Sequence, residues 1–367
     1  MAQAALSPTP PAAAKGAVLR VGVVGCGERG IALCRELGRT TKARLTLAMD
    51  VNSALAQDAA KRFRVPWTTS LDEMLSSDQV DAVIIATPHH LHAPQAVAAA
   101  QAGKHVMVEK PLGAKLQDAA EVVREARRAG VMLSMILPYR YQPRIIRAKR
   151  FIQAGGLGDL FGVSLMFHDD RFADYWAGGF SGRAISDWRL RWETSGGGIL
   201  ITSVIHHVDW LRFLPGLEIV EVSARYATLD SPGEVEDTLT MWVRYENGAL
   251  GTVSASSCVR GTDLMDFRLW GRDGHISMAP PAQSYSLRLI DGKRPGQWHE
   301  VAGVRGLKHR DVEYLQRFAD SVLRGEPLEI TGEDGLAAQA VVEAAYESAK
   351  TGRTMTVPRH PWGLEQP

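Results

Sequence analysis

Two unlike halves are expected from this sequence: a doubly wound parallel α/β sheet, then an open, mostly antiparallel α+β sheet flanked by helices. Three observations predict them. From Val18 to Leu137, short apolar runs alternate with helical patterns, as crossover connections between parallel strands require. From Ile219 to about Val301 the chain instead reads as consecutive strands, with hairpin signals such as Asn247-Gly248 and Asp273-Gly274. A length of 367 residues also exceeds one small core. We expect a disordered tail over 1–16, a dinucleotide-binding domain over 17–138, and a substrate-binding and oligomerisation domain over 139–367.

The first half should contain strands at Val18–Val24, Arg44–Met49, Ala82–Ala86, His105–Val108 and Val131–Leu137. Their Val, Ile and Leu content suits strands buried on both faces. Helical patterns fall near Glu28–Leu37, Ser53–Arg62, Leu71–Ser76, His92–Ala102 and Leu116–Ala129. In the second half, a helix near Arg144–Gln153 leads through Gly155-Gly156 to an apolar run, Leu160–Phe167. A polar, aromatic stretch follows from His168 to Thr194, and one helix begins after Gly196-Gly197-Gly198. Helices return at Asp311–Leu323 and Gly335–Thr351.

The first strand ends in Gly25-x-Gly27-x-x-Gly30 and a helix follows at once. A strand that delivers a tight turn to a helix N-terminus presents free N–H groups to an anion. Gly25 permits the turn, Gly27 lets a diphosphate approach, and Gly30 lets helix and strand pack closely. Asp50 ends the next strand twenty residues beyond Gly30, the spacing of a ribose-binding acid. Asp50 would accept from both ribose hydroxyls and repel a 2′-phosphate. The cofactor is therefore expected to be NAD; Val51-Asn52-Ser53 offers no arginine, and Arg29 at the turn leaves NADP as the alternative.

Bulk properties exclude several functions. A net charge of +1 gives no basic excess for nucleic acid, and no long apolar run could span a bilayer. The Ala- and Pro-rich start lacks the basic and apolar regions of a signal peptide. Three scattered cysteines (Cys26, Cys34, Cys258) support neither a disulfide framework nor a thiolate zinc site. A cytoplasmic, reduced protein is expected.

Ala86-Thr87-Pro88-His89 and Glu109-Lys110-Pro111 each end a predicted strand, where doubly wound sheets bind their ligands. With Gly103-Lys104-His105-Val106, Tyr139-Arg140-Tyr141, Gly196–Gly198, His206, Asp209 and the segments Gly332–Leu336 and Ser348–Arg353, they resemble the glucose–fructose oxidoreductase and inositol 2-dehydrogenase family (Gfo/Idh/MocA). The resemblance runs from about Val18 to Val357. It implies a Rossmann nucleotide-binding domain and NAD(P)-dependent oxidation of a carbinol, or reduction of a ketone, on sugars, polyols or related cyclic alcohols.

On that basis the cofactor-binding set is Gly25, Cys26, Gly27, Glu28, Arg29, Gly30, Asp50, Thr87, Pro88, His89, His92, Glu109, Lys110 and Arg140. The substrate set is Lys110, Tyr139, Arg140, His168, Trp188, Arg189, Thr202 and His206, with Lys110, His206 and Thr202 catalytic. His206 is favoured as acid/base, because an unperturbed imidazole titrates at about 6.5, with Lys110 as electrostatic partner; exchange of these roles is the alternative. The chain departs from the family at one place: Thr202 stands where relatives carry an aspartate four residues before the helix histidine, and Val204 replaces a glycine between them. Threonine hydrogen-bonds but carries no charge. No chelating spacing supports a metal among His168, Asp169, His206 and His207. Two rival functions are a redox-neutral enzyme that retains its NAD for elimination or epimerisation, and a dinucleotide-binding sensor without turnover. An open sheet with one uncovered face favours a homodimer or homotetramer.

Overall fold

In the computed structural model, residues 17–171, 173–261, 264–278, 288–291, 299–300 and 312–359 are described. The expected tail over 1–16 lies outside them.

Apolar runs bounded by turn residues build the first sheet. Its strands are β1 (Leu19–Val24), β2 (Ala43–Met49), β3 (Trp67–Thr68), β4 (Ala82–Ile85), β5 (His105–Val108) and β6 (Leu133–Met135). All pair in parallel in the order β3-β2-β1-β4-β5-β6. The helices α1 (Glu28–Leu37), α2 (Ser53–Phe63), α3 (Leu71–Ser76), α4 (His89–Gln101) and α5 (Leu116–Ala129) connect them. β4 is buried at every position, as a central strand covered by helices on both faces must be. Local chemistry sets the helix starts. The Asn52 side chain accepts from Ala54 N at α2, and the Ser70 hydroxyl accepts from Glu73 N at α3.

Pro138–Tyr141 forms a single tight turn into α6 (Pro143–Gln153) and then β7 (Leu160–His168). Two short helices, α7 (Ala173–Gly178) and α8 (Trp192–Ser195), interrupt the aromatic stretch before α9 (Ile205–Phe213). The strands β8 (Ile219–Ala227), β9 (Thr238–Tyr245), β10 (Leu250–Ser256), β11 (Leu264–Gly271), β12 (Gly274–Met278), β13 (Arg288–Asp291) and β14 (His299–Glu300) follow. Helices α10 (Glu313–Arg324) and α11 (Gly332–Thr351) precede a last strand, β15 (Met355–Thr356). The second sheet runs β14-β13-β12-β11-β7-β10-β9-β8-β15; β7 and β10 are parallel and the other neighbours antiparallel. Along β9, Leu239, Met241, Val243 and Tyr245 are buried while Thr240 and Trp242 face outward, the alternation of a sheet covered on one side.

α11 covers β8 and also packs against α5 and α9, so it touches both sheets. Its start is a reciprocal cap: Thr331 accepts from Asp334 N, and Asp334 accepts from Thr331 N. Gln339 on the same helix donates to Gly113 O at 2.8 Å, fixing the loop after β5.

Three expectations need correction. β3 was not foreseen, because two residues carry no period. α4 begins at His89, three residues before the expected start, which draws His89 and His92 into a buried helix. The helix expected at Asp311 begins at Glu313, and Asp311 lies outside the described residues.

Candidate active site

The glycine turn is built as the sequence requires. Gly25 has φ +93°, and a Cβ there would stand 2.7 Å from Ala86 O. A Cβ at Gly30 would fall 1.8 Å from Gly25 O, so only glycine lets α1 lie on the end of β1. Gly27 caps α1 without a side-chain hydrogen bond, leaving the first helical N–H groups for an anion. Asp50 sits beside them: Oδ2 accepts from Cys26 N at 2.7 Å and Oδ1 from Asn52 N at 2.8 Å. A carboxylate has about four acceptor positions, so it can also take ribose hydroxyls. These groups fit a dinucleotide. Cys26 is buried, its thiol pushed up to about 12, chiefly by burial, and its role is packing.

Arg29 does not reach outward for a 2′-phosphate. Its guanidinium donates to Glu109, to Glu36 at 2.7 Å and to Tyr314 Oη at 3.3 Å, and Tyr314 donates back to Glu36. The alternative of NADP therefore loses its candidate cation. We expect Asp50→Ser to weaken NAD binding about tenfold or more, for loss of charge-assisted hydrogen bonds. NADP should bind no better in absolute terms, because Arg29 stays engaged. Fluorescence titration of both nucleotides checks this, and an unchanged NAD affinity would show that Asp50 is not on the ribose.

A segment of the second half lies across this turn. Phe180 N donates to Glu28 Oε2 at 2.9 Å, and Arg183 Nε donates to Cys26 O at 2.9 Å while pairing with Asp58 at 2.7 Å. Ala184 Cβ is 3.6 Å from where a Gly27 Cβ would stand.

At the end of β5, Lys110 leaves the first sheet and its ammonium donates to the backbone carbonyl of Thr202. The helix there is wound wide: Leu200–Val204 is a π-turn in which Ile205 N bonds to Leu200 O. Such turns recur at functional sites because they release backbone groups from the α-ladder. The Thr202 hydroxyl donates to Gly198 O at 2.6 Å, so its carbonyl rather than its side chain meets the lysine. Burial lowers the Lys110 pKa to about 8; Glu109 opposes this, while Arg171, Arg189 and Arg29 reinforce it.

His206 follows one turn later, its ring 4.5 Å from that of Tyr139. Burial, then the charge of Lys110, holds its pKa well below the usual imidazole range, and Nδ1 is buried with no hydrogen-bond partner among the described residues. These shifts favour the alternative already named, in which the two groups exchange roles. Burial disfavours charge on the imidazole and on the ammonium alike, and each charge further disfavours the other.

Several expected contacts are spoken for elsewhere. His92 is buried with Nδ1 on Pro111 O at 2.6 Å and Nε2 on Thr87 O at 2.7 Å, bracing two loops. His89 is buried with Nδ1 on Ser195 O at 2.7 Å. Arg140 is likewise withdrawn: it is bound by Asp209, by Asp334 at 3.1 Å and by Glu329 O at 3.2 Å. Burying a guanidinium demands such partners. Trp188 packs on His89, and Arg189 stacks on Trp188. His168 ends β7 opposite Ser256 and Leu264. Pro88 precedes α4, and the Thr87 hydroxyl donates to Gln95 at 2.7 Å. His207 is buried against Phe167 and Trp210. Among the described residues no group of three or more His, Cys, Asp or Glu side chains could hold a metal ion.

Sequence reasoning missed Glu236. It is fully buried and accepts from Gly198 N, Leu200 N at 2.9 Å and Tyr346 Oη at 2.8 Å, holding the start of the π-turn. The acidic pair Glu236-Asp237 just before a strand pattern was the available signal.

A glycine turn at the carboxyl edge of a parallel sheet, with a part-buried lysine two strands away and a histidine helix facing it, defines a nicotinamide-dependent oxidoreductase. Residues 19–137 match the oxidoreductase family with an NAD-binding Rossmann fold, and 145–277 match its C-terminal domain; the chain belongs to the Gfo/Idh/MocA family. Myo-inositol 2-dehydrogenase of Thermotoga maritima is 26% identical over 346 residues, covering 92% of this chain and 98% of that protein. The WlbA dehydrogenase of Bordetella pertussis, solved with NADH and UDP-GlcNAcA, is 26% identical with a TM-score of 0.81, over 93% of this chain and 98% of that one. Levoglucosan dehydrogenase in complex with NADH shares the fold: TM-score 0.84 at 24% identity, over 93% and 99%.

Proposed function

We propose that this chain transfers hydride between NAD and the carbinol carbon of a sugar, polyol or related cyclic alcohol. One observation carries the reading: an ammonium from the first sheet's edge meets the helix that bears His206. Relatives that act on inositol and levoglucosan set the substrate class. We assign 17–138 to the nucleotide and 139–367 to substrate and oligomerisation.

Bound NAD supplies the hydride acceptor. Neutral Lys110 takes the hydroxyl proton as the carbon–hydrogen bond breaks, and His206, held neutral, orients that hydroxyl through a ring nitrogen. Thr202 sets the lysine through its carbonyl. Tyr139 supports the His206 ring. Because Lys110 must be deprotonated to accept, kcat/KM for oxidation should rise with pH and level above about 8; ketone reduction should fall over the same range. A flat profile between pH 6 and 9 in both directions would refute the assignment.

Among the described residues no helix is long and apolar enough to cross a membrane, which accords with a cytoplasmic enzyme. The outer face of the second sheet exposes Phe161, Trp242, Leu250 and Trp270. A homodimer or homotetramer that covers them is part of this proposal; light scattering of the purified chain tests it.

A further inference from the structure

Two guanidinium groups, Arg171 and Arg189, lie near enough to Lys110 for their charges to act on its ammonium, and Arg189 has no ion-pair partner among the described residues. Arg171 lies over the rings of Tyr175 and Phe180, each centroid 4.4 Å away. Arg189 lies 4.4 Å over Trp188 and 5.5 Å over the same Tyr175. One tyrosine ring therefore gathers two like charges that would separate in water. Trp188 packs 4.5 Å from His89, in the wall behind Lys110.

The nearby carboxylates are mostly committed. Glu109 and Glu36 neutralise Arg29, and Asp169 pairs with Arg171 at 2.5 Å. Asp170 holds Arg260 and Gly261 N, and Glu28 accepts from Phe180 N. Among the described residues, no ion pair engages Lys110 or Arg189. Arg171 Nη1 is buried without a hydrogen-bond partner among the described residues. A neutral polyol would leave the Arg189 charge and the open Arg171 Nη1 position without an anion, beside an oxidised nicotinamide that adds to the positive charge.

We infer that the substrate is an anionic carbinol, a sugar acid or sugar phosphate, whose charged oxygens are held by Arg189 and Arg171 while Lys110 takes the proton from its hydroxyl. This rests on the dehydrogenase reading above and narrows it. A planar guanidinium fork matches a carboxylate or a phosphate edge, and stacking on aromatic rings fixes its orientation in advance.

The test is a matched panel with the full-length chain: neutral polyols, the aldonate and uronate of the same skeletons, and their phosphate esters. Each is assayed for NAD reduction and, separately, for thermal shift of the NADH-bound protein. The acids or the phosphates should exceed their neutral counterparts in kcat/KM by about tenfold or more, as a charge-assisted pair allows. Whichever arm leads identifies the anion. Arg189→Gln and Arg171→Gln should shrink that advantage by raising KM for the anion, with Arg189→Lys retaining part of it. Equal use of neutral and anionic members, or variants that raise only the KM for NAD, would overturn this inference and leave the dehydrogenase reading standing. No turnover of any member, with NAD bound and no anionic compound stabilising the NADH complex, would overturn both.

Discussion

Lys110→Met should lose about a thousandfold in kcat, the middle of the range for removing a positioned acid/base, while NAD still binds. The side chain of methionine nearly fills the lysine's space, so the loss reports the missing amine rather than a cavity. Lys110→Arg should be nearly as poor. A guanidinium does not deprotonate at any working pH, so it can attract the substrate oxygen but not receive its proton. Thr202→Asp is the informative companion. A carboxylate placed on the same turn would favour the charged lysine and raise its pKa above about 8, moving the rising limb of the oxidation profile to higher pH. Rapid-quench or steady-state NADH formation measures all three. If Lys110→Met turns over near the wild-type rate, the proton goes elsewhere and the mechanism is wrong.

Much of this site was legible in the sequence, and the reason it was not complete is physical. The glycine turn, Asp50 and Lys110 announce themselves because backbone conformation and strand-end placement restrict which residues work there. The apolar run Val21–Val24 of β1 and all of β4 are equally plain, since burial on both faces leaves no room there for polar side chains. By contrast, the π-turn at Leu200–Val204 has no compositional signature: its residues would suit an α-helix. Its effect, freeing the Thr202 carbonyl for Lys110, depends on Glu236, which lies 34 residues further along the chain than Thr202 and meets the turn only in the fold. The surroundings of His206 were out of reach of the sequence for a related reason. An unperturbed pKa describes a solvated ring, whereas this one is lowered first by burial in the fold and then by Lys110, which comes from the end of β5.

Arg140→Met should be the most destabilising single change at the junction of the two halves. Arg140 is 7% exposed and Asp209 1%, and their two hydrogen bonds link the turn after β6 to α9. Removing one member of a buried pair leaves the other charged and unsolvated, at a cost of about 3–5 kcal/mol. The two single variants should not be equal. After Asp209→Leu, Arg140 keeps Asp334 and the Glu329 carbonyl, and the loss is smaller. After Arg140→Met, Asp209 loses its bidentate partner and Asp334 loses an ion pair as well. The double variant should recover stability relative to Arg140→Met, because no buried charge is then stranded at position 209. Thermal or urea unfolding of the set gives the order wild type, then Asp209→Leu, with Arg140→Met lowest and the double variant above it. Their turnover separates structure from chemistry: Tyr139 and His206 flank the pair, so kcat should fall modestly in the folded fraction, far less than for Lys110→Met. A loss of activity equal to that of Lys110→Met, without loss of stability, would instead return Arg140 to the cofactor or the substrate.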